Sequence, residues 1–159
     1  MNKEDALTIK GCVEAVIEYQ DDRPKEVIRF PNTILRLGRQ ALAQSLTNQI
    51  GPAYDFFISR MIFGDGGTSG GTIKFVSTER NGLFGVTRAN KPVMASIDQT
   101  APTQALFTSV ITFQEANGFT LNEMALQMNS GDLYSMATFP DLSKTAQMQI
   151  TWNWRLSFV

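Results

Sequence analysis

Residues 145 to 159 read Thr-Ala-Gln-Met-Gln-Ile-Thr-Trp-Asn-Trp-Arg-Leu-Ser-Phe-Val. Ala146, Met148, Ile150, Trp152, Trp154, Leu156 and Phe158 alternate with Thr145, Gln147, Gln149, Thr151, Asn153, Arg155 and Ser157. Successive strand side chains point to opposite faces, so an extended backbone collects the apolar set on one side, whereas a helix would scatter it around the cylinder. At a rise of about 3.3 Å per residue the stretch from Ala146 to Phe158 spans roughly 43 Å, well beyond the usual strand of about five or six residues. Such a strand is expected to cross a whole sheet, bend, or project into a neighbour. No polar tail follows it, and the terminus is expected to dock inside something larger. Trp152 and Trp154 share a face; core packing is expected of them, with an exposed sugar-stacking platform as the alternative.

Outward from this strand the same period recurs. Leu133 to Phe139, Phe119 to Met128, Leu106 to Glu115 and Val93 to Asp98 read as strands, separated by turns at Pro140-Asp141, Asn129-Ser130-Gly131-Asp132 and Ala116-Asn117-Gly118. Phe57 to Phe63 is another. Near the start, Ile9, Gly11, Val13, Ala15, Ile17 and Tyr19 alternate with mostly polar neighbours, Gln20 to Pro24 turns the chain, and Lys25 to Phe30 returns as a hairpin partner. Pro31-Asn32-Thr33 offers a helix start capped by Asn32 or Thr33, with Leu35, Ala41, Leu42, Ser45 and Leu46 at helical spacing to about Asn48. Gly38 on that face permits a close approach by another chain segment. Residues 77 to 85 read as irregular or a single helical turn. The expected fold is mainly β, an antiparallel β-sandwich or partly closed barrel with one α-helix over residues 33 to 48.

Composition limits what such a fold can do. A chain of 159 residues is long enough for one domain with a substantial core. Charged residues make up 18% and the net charge is −1, so little repulsion keeps copies apart and no field steers the chain to nucleic acid or an anionic membrane. With no histidine, the usual hydrolytic triads, most zinc sites and most neutral-pH general bases are excluded. Cys12 is the single cysteine and cannot form an internal disulfide, which fits maturation in a cytoplasm. Met1 to Asp5 is charged and no apolar run of signal-peptide or membrane-spanning length follows.

Gly64, Asp65, Gly66, Gly67, Gly70 and Gly71 crowd one short stretch behind a strand. A phosphate loop would need a Gly-Lys-Thr/Ser ending or the dinucleotide spacing, with a helix opening behind it, and none of these occurs. Asp65 lacks the repeated ligands of a calcium loop, so neither cofactor nor metal is expected. The stretch reads instead as a flexible loop that orders against a partner. Among the acids, Glu79, Glu115 and Glu123 could converge into a catalytic pair only by folding. Glu123, set in an apolar strand, is expected to be structural, with Arg60 or Arg88 as its partner.

Three pieces in order carry a resemblance: Asn32-Thr33-Ile34 before the helix; Ile62-Phe63-Gly64-Asp65-Gly66-Gly67; and Phe119 to Leu126 followed by Gly131-Asp132-Leu133-Tyr134 and Ala137-Thr138-Phe139-Pro140. The closing Lys144-Thr145 and Ile150 to Trp154 complete it. Over roughly residues 30 to 158 the chain resembles the N-terminal, particle-attaching domains of phage tail-collar fibre proteins and related small virion structural proteins. Those fibre proteins continue into a distal shaft, whereas this chain stops, so the resemblance implies an attachment or decorating module without the receptor-binding part. It implies a non-enzymatic virion protein, assembled in the host cytoplasm, whose partners are other copies of itself and other virion proteins. A collar, neck, tail or baseplate subunit is expected, with a capsid decoration protein as the alternative. A carbohydrate-binding module and a hydrolase are the competing classes. Residues 1 to 159 then form one virion-assembly domain, with residues 1 to 8 as a flexible or partner-docked arm and the glycine stretch as a contact element.

Overall fold

The computed structural model of the protein describes residues 6–159. In chain order it comprises β1 (Ile9–Tyr19), β2 (Glu26–Pro31), β3 (Thr33–Ile34), α1 (Arg36–Gln44), β4 (Ile58–Gly64), β5 (Thr68–Ser69), β6 (Thr72–Ile73), β7 (Thr87–Pro92), β8 (Met94–Asp98), β9 (Ala101–Ile111), β10 (Thr120–Met128), β11 (Leu133–Ser143) and β12 (Met148–Phe158). One five-stranded sheet has the order β2-β1-β12-β9-β8 and a second the order β3-β11-β10-β4-β7, while β5 and β6 form a small hairpin of their own. Every paired strand is antiparallel.

The alternation in β12 does what its period requires. Ile150, Trp152, Trp154 and Leu156 are buried against the opposite sheet, and the intervening residues face outward. Trp152 sits among Phe63 of β4, Phe139 of β11 and Phe30 of β2 at centroid separations of 5.0, 5.4 and 6.4 Å. Side chains from both inner faces thus meet in one core that includes Val13, Ile17, Phe107 and Ile111 from the first sheet and Met61, Met124 and Leu126 from the second. A sugar-stacking platform is excluded, because both tryptophans are buried.

The architecture is a sandwich, not a barrel. Among the described residues no ladder joins the sheets, although the chain crosses between them at two edges, from β2 to β3 through Asn32 and from β7 to β8 through Val93. The outer face of the second sheet is covered as well. Leu35, Ile62, Val76, Ala125, Leu133 and Met136 form a second buried cluster, with Leu83 and Phe84 packed on it. Burial on two faces explains why every residue from Leu121 to Leu126 is buried, so the sequence there does not alternate.

Several boundaries differ from the sequence reading. The helix is shorter than residues 33 to 48, and neither Asn32 nor Thr33 caps it. Thr33 and Ile34 pair with Met136 and Ser135, the cap position is Leu35, and no side chain caps it. Backbone carbonyls of neighbouring segments do that work: Leu35 N–H donates to Tyr134 O at 3.0 Å and Arg36 N–H to Thr78 O at 2.8 Å. Gly38 does admit a close approach, since a side chain there would meet the Tyr134 carbonyl. Pro140 and Asp141, read as a turn, lie inside β11, where residues 139 to 141 bulge opposite Asn122 and the proline needs no ladder partner. β9 ends at Ile111, short of Glu115. β12 lies between β1 and β9, so it is paired on both edges and does not project. Of the arm expected over residues 1 to 8, the first five lie outside the described residues, and Thr8 exchanges backbone hydrogen bonds of 2.6 and 2.9 Å with Val159.

Candidate functional site

The glycine stretch begins where β4 ends, and the next strand over, β10, places Glu123 directly opposite Gly64. Glu123 is fully buried. A carboxylate removed from water needs compensating hydrogen bonds, and here backbone amides supply them instead of the expected Arg60 or Arg88. Oε1 accepts the N–H groups of Gly66 at 2.9 Å and Gly85 at 2.8 Å, and Oε2 accepts that of Phe84 at 2.7 Å. Arg60 donates to Asn90, and Arg88 goes to Asp65. Two chain segments that share no secondary structure are therefore pinned to one side chain.

Glycine makes that geometry possible. A Cβ on Gly64 would lie 2.6 Å from Glu123 Oε1 and 2.9 Å from Leu83 Cδ1. A Cβ on Gly66 would run into the Gly85 backbone, and one on Gly67 into the Asn122 carbonyl. The adjoining residue, Asn122, accepts the Gly67 N–H at 2.7 Å and donates to Thr68 Oγ1 and Asp141 Oδ1, both at 3.0 Å. Thr68 also donates to Asp141 at 2.7 Å. The Asn122 and Thr68 hydrogen bonds hold the Asp141 carboxyl below the usual range.

Asp65 binds the same 84–88 segment one step further along. Its Oδ1 accepts the Val86 N–H at 2.9 Å and its Oδ2 the Arg88 Nε–H at 2.6 Å, and the Arg88 guanidinium lies over the Phe119 ring at 4.5 Å. Burial pushes the Asp65 carboxyl up, but the Arg88 and Val86 hydrogen bonds outweigh it and the net shift is downward.

Gly70 and Gly71 differ from their neighbours. They are the two central residues of the turn joining β5 to β6, with φ of 56° and 80°, and nothing lies within 4 Å of either missing Cβ. That pair of left-handed conformations is the tight hairpin turn that matches strand twist and favours glycine. The stretch expected as one loop is thus two structures: an inner half tied to Glu123 and Asn122, and an outer hairpin tip open to solvent. Beside the tip Ile73 and Phe75 are exposed, Phe75 at 86%, and a cleft of about 270 Å³ runs from them to Asn32, Thr33 and Pro140.

The other acids do not converge on Glu123. Glu79 pairs with Arg36 at 2.7 Å and Glu115 with Lys91 at 2.5 Å. Among the described residues no group of three or more His, Cys, Asp or Glu is placed to hold a metal, and no helix is long and apolar enough to cross a membrane. Sequence reasoning missed Asn122, Thr68, Asp141, Phe84 and Gly85 as parts of this site. The one local signal was the polar pair Asn122-Glu123 inside an otherwise apolar strand.

No curated protein and no solved structure matches the chain. The family model for the phage tail-collar fibre protein, N-terminal, matches residues 28–156, a span that includes both halves of the glycine stretch, Glu123 and all but the last two residues of β12, and the chain belongs to that family.

Proposed function

We propose that the protein is a non-enzymatic structural subunit of the phage tail, built into the virion through subunit contacts, and that the β5–β6 hairpin with its Ile73 and Phe75 flank is one of those contacts. Family membership supports the tail placement. The observation that carries the contact role is the contrast within the glycine stretch: a base held by buried hydrogen bonds and an exposed tip at which side chains on Gly70 or Gly71 would meet only open space. A rigidly based hairpin with exposed apolar flanks loses little entropy on docking and gains by burying Phe75. Its near-zero net charge supports association with further copies of itself as well as with other virion proteins.

The test is incorporation. Ile73→Lys and Phe75→Lys change exposed side chains and are expected to leave melting unchanged while lowering the copy number in purified particles, counted by quantitative mass spectrometry of collar, tail and capsid fractions. Wild-type incorporation of both variants overturns the hairpin contact; recovery of the wild-type protein in capsid fractions alone overturns the tail placement in favour of capsid decoration.

A further inference from the structure

Sheet edges present unpaired backbone groups, and proteins usually guard them with charge, proline or short length. Three of the four edges here are guarded. β2 carries Glu26 and Arg29 and ends in Pro31, β3 is two residues long, and β7 carries Arg88 and Lys91 and ends in Pro92. β8 is different: it carries no proline, its single charge is Asp98 at the very end, Met94 to Ile97 are uncharged, and every residue of the strand is exposed.

Ala95 and Ile97 sit opposite Phe107 and Ala105 of β9, which places them on the inner face of the sheet. Beside them the sandwich is open. A cavity of about 480 Å³ lies there, lined by Ala95, Ile97, Phe57, Phe107, Tyr134 and Phe158 among others, with no charged residue in its wall. Ile97 and Phe57 in its lining are 57% and 62% exposed, and Met94, on the other face of the strand, is 78% exposed.

We propose that β8 is the contact between two copies of this chain: it pairs antiparallel with β8 of a second copy about a two-fold axis at Ser96, joining the two first sheets into one. This deepens the self-association reading above and rests on it. An edge that abuts the mouth of an apolar cavity suits an extended protein segment, because the added strand satisfies the backbone row while its inward side chains cover the cavity. The second copy fits this role in detail. An antiparallel two-fold pair keeps the inner faces on one side and sets Ile97 of each copy opposite Ala95 of the other, large against small, while the one charge of the strand, Asp98, falls at its outer ends opposite Met94. A pair of five-residue strands alone falls short of the roughly 1,200 Å² of a stable interface, so the exposed Met94, Ile97 and Phe57 must be covered in the same contact.

The experiment uses the full chain in a Cys12→Ser background. Ser96→Cys places two thiols across the axis, and mild oxidation is expected to convert most of the protein to disulfide-linked dimer, while Gln40→Cys on the exposed face of α1 does not cross-link. Ile97→Lys is expected to weaken self-association at least tenfold by analytical ultracentrifugation; because Ile97 is largely exposed its melting temperature is expected to hold, and the Ser96→Cys arm is independent of that variant. Association that survives Ile97→Lys, or cross-linking at Ser96 no greater than at Gln40, overturns the β8 contact and leaves self-association through another surface. A chain that stays monomeric at every concentration overturns both.

Discussion

Glu123 Oε1 accepts the Gly66 backbone N–H at 2.9 Å, joining residues 57 positions apart in the chain, and the same carboxylate holds the Phe84 and Gly85 amides. A buried acid with no basic partner among the described residues thereby ties both ends of the segment between β4 and β7 together. Glu123→Gln keeps the volume but turns an NH2 group toward at least one of these N–H donors. The expected cost is about 2 to 3 kcal/mol, as for buried polar groups left unpaired. Hydrogen exchange checks it: the Gly66, Phe84 and Gly85 amides are protected in the wild type and exchange faster in the variant.

The two halves of the glycine stretch are expected to respond differently. Gly66→Ala and Gly67→Ala force backbone apart and are expected to cost at least 2 kcal/mol, as overpacking of close contacts does. Replacing Gly70-Gly71 by Asn-Gly preserves the turn type and is expected to change stability by less than about 0.5 kcal/mol. Urea denaturation of the three variants decides it; equal losses would mean that tip and base act as one unit.

Trp152 and Trp154 are buried with indole N–H groups that have no hydrogen-bond partner among the described residues. Trp152→Ala is expected to cost about 3 to 5 kcal/mol through the cavity it leaves. Trp152→Phe, which also removes the unpaired donor, is expected to cost only about 1 to 2 kcal/mol. A phenylalanine variant as unstable as the alanine variant in calorimetric melts would contradict this.

Asp65 sits below the usual carboxyl range in the folded state, so its contribution to stability is complete above the unfolded value of about 3.9 and is lost as pH falls through the lowered folded value. Stability of the wild type should therefore fall on acidification below about pH 4, and Asp65→Asn should flatten that part of the profile. Melting curves across pH 2 to 6 (about the range where carboxylates titrate) make the comparison.

Lys144 is almost fully buried, donating to Asn117 Oδ1 and the Thr145 carbonyl, both at 2.9 Å. Burial pushes its ammonium below the usual lysine range against the pull of Glu115. The native state then sheds this proton before the unfolded chain does, and stability rises with pH between the lowered folded value and the unfolded value of about 10.4. Wild type should gain stability over that window relative to Lys144→Met, which has nothing there to titrate. Parallel slopes for the two proteins in chemical denaturation would exclude the effect.

The strands of this protein are written locally. Period-two alternation in Ile9 to Tyr19 and Met148 to Phe158 reports one buried and one exposed face, a property each segment carries by itself, and turn residues such as Asn117-Gly118 mark where pairing stops. β7 escaped that reading because Thr-Arg-Ala-Asn-Lys-Pro, half-exposed at an edge, has no apolar face to declare. Pro140 misled because a bulge within a strand and a turn between strands use the same residues.

Sequence alone determined that the chain is mainly β, that Trp152 and Trp154 face one way, and that the glycine stretch lacks the spacing of a phosphate loop. Tertiary structure decided which strands are neighbours, and with them the site. β12 became a central strand because β1 and β9 pair with its two edges, and Glu123 found amides instead of an arginine because β10 lies beside β4. Backbone groups are chemically alike along the chain, so a side chain that binds them has no partner residue type to reveal it in advance; only the register between distant strands selects which amides it meets.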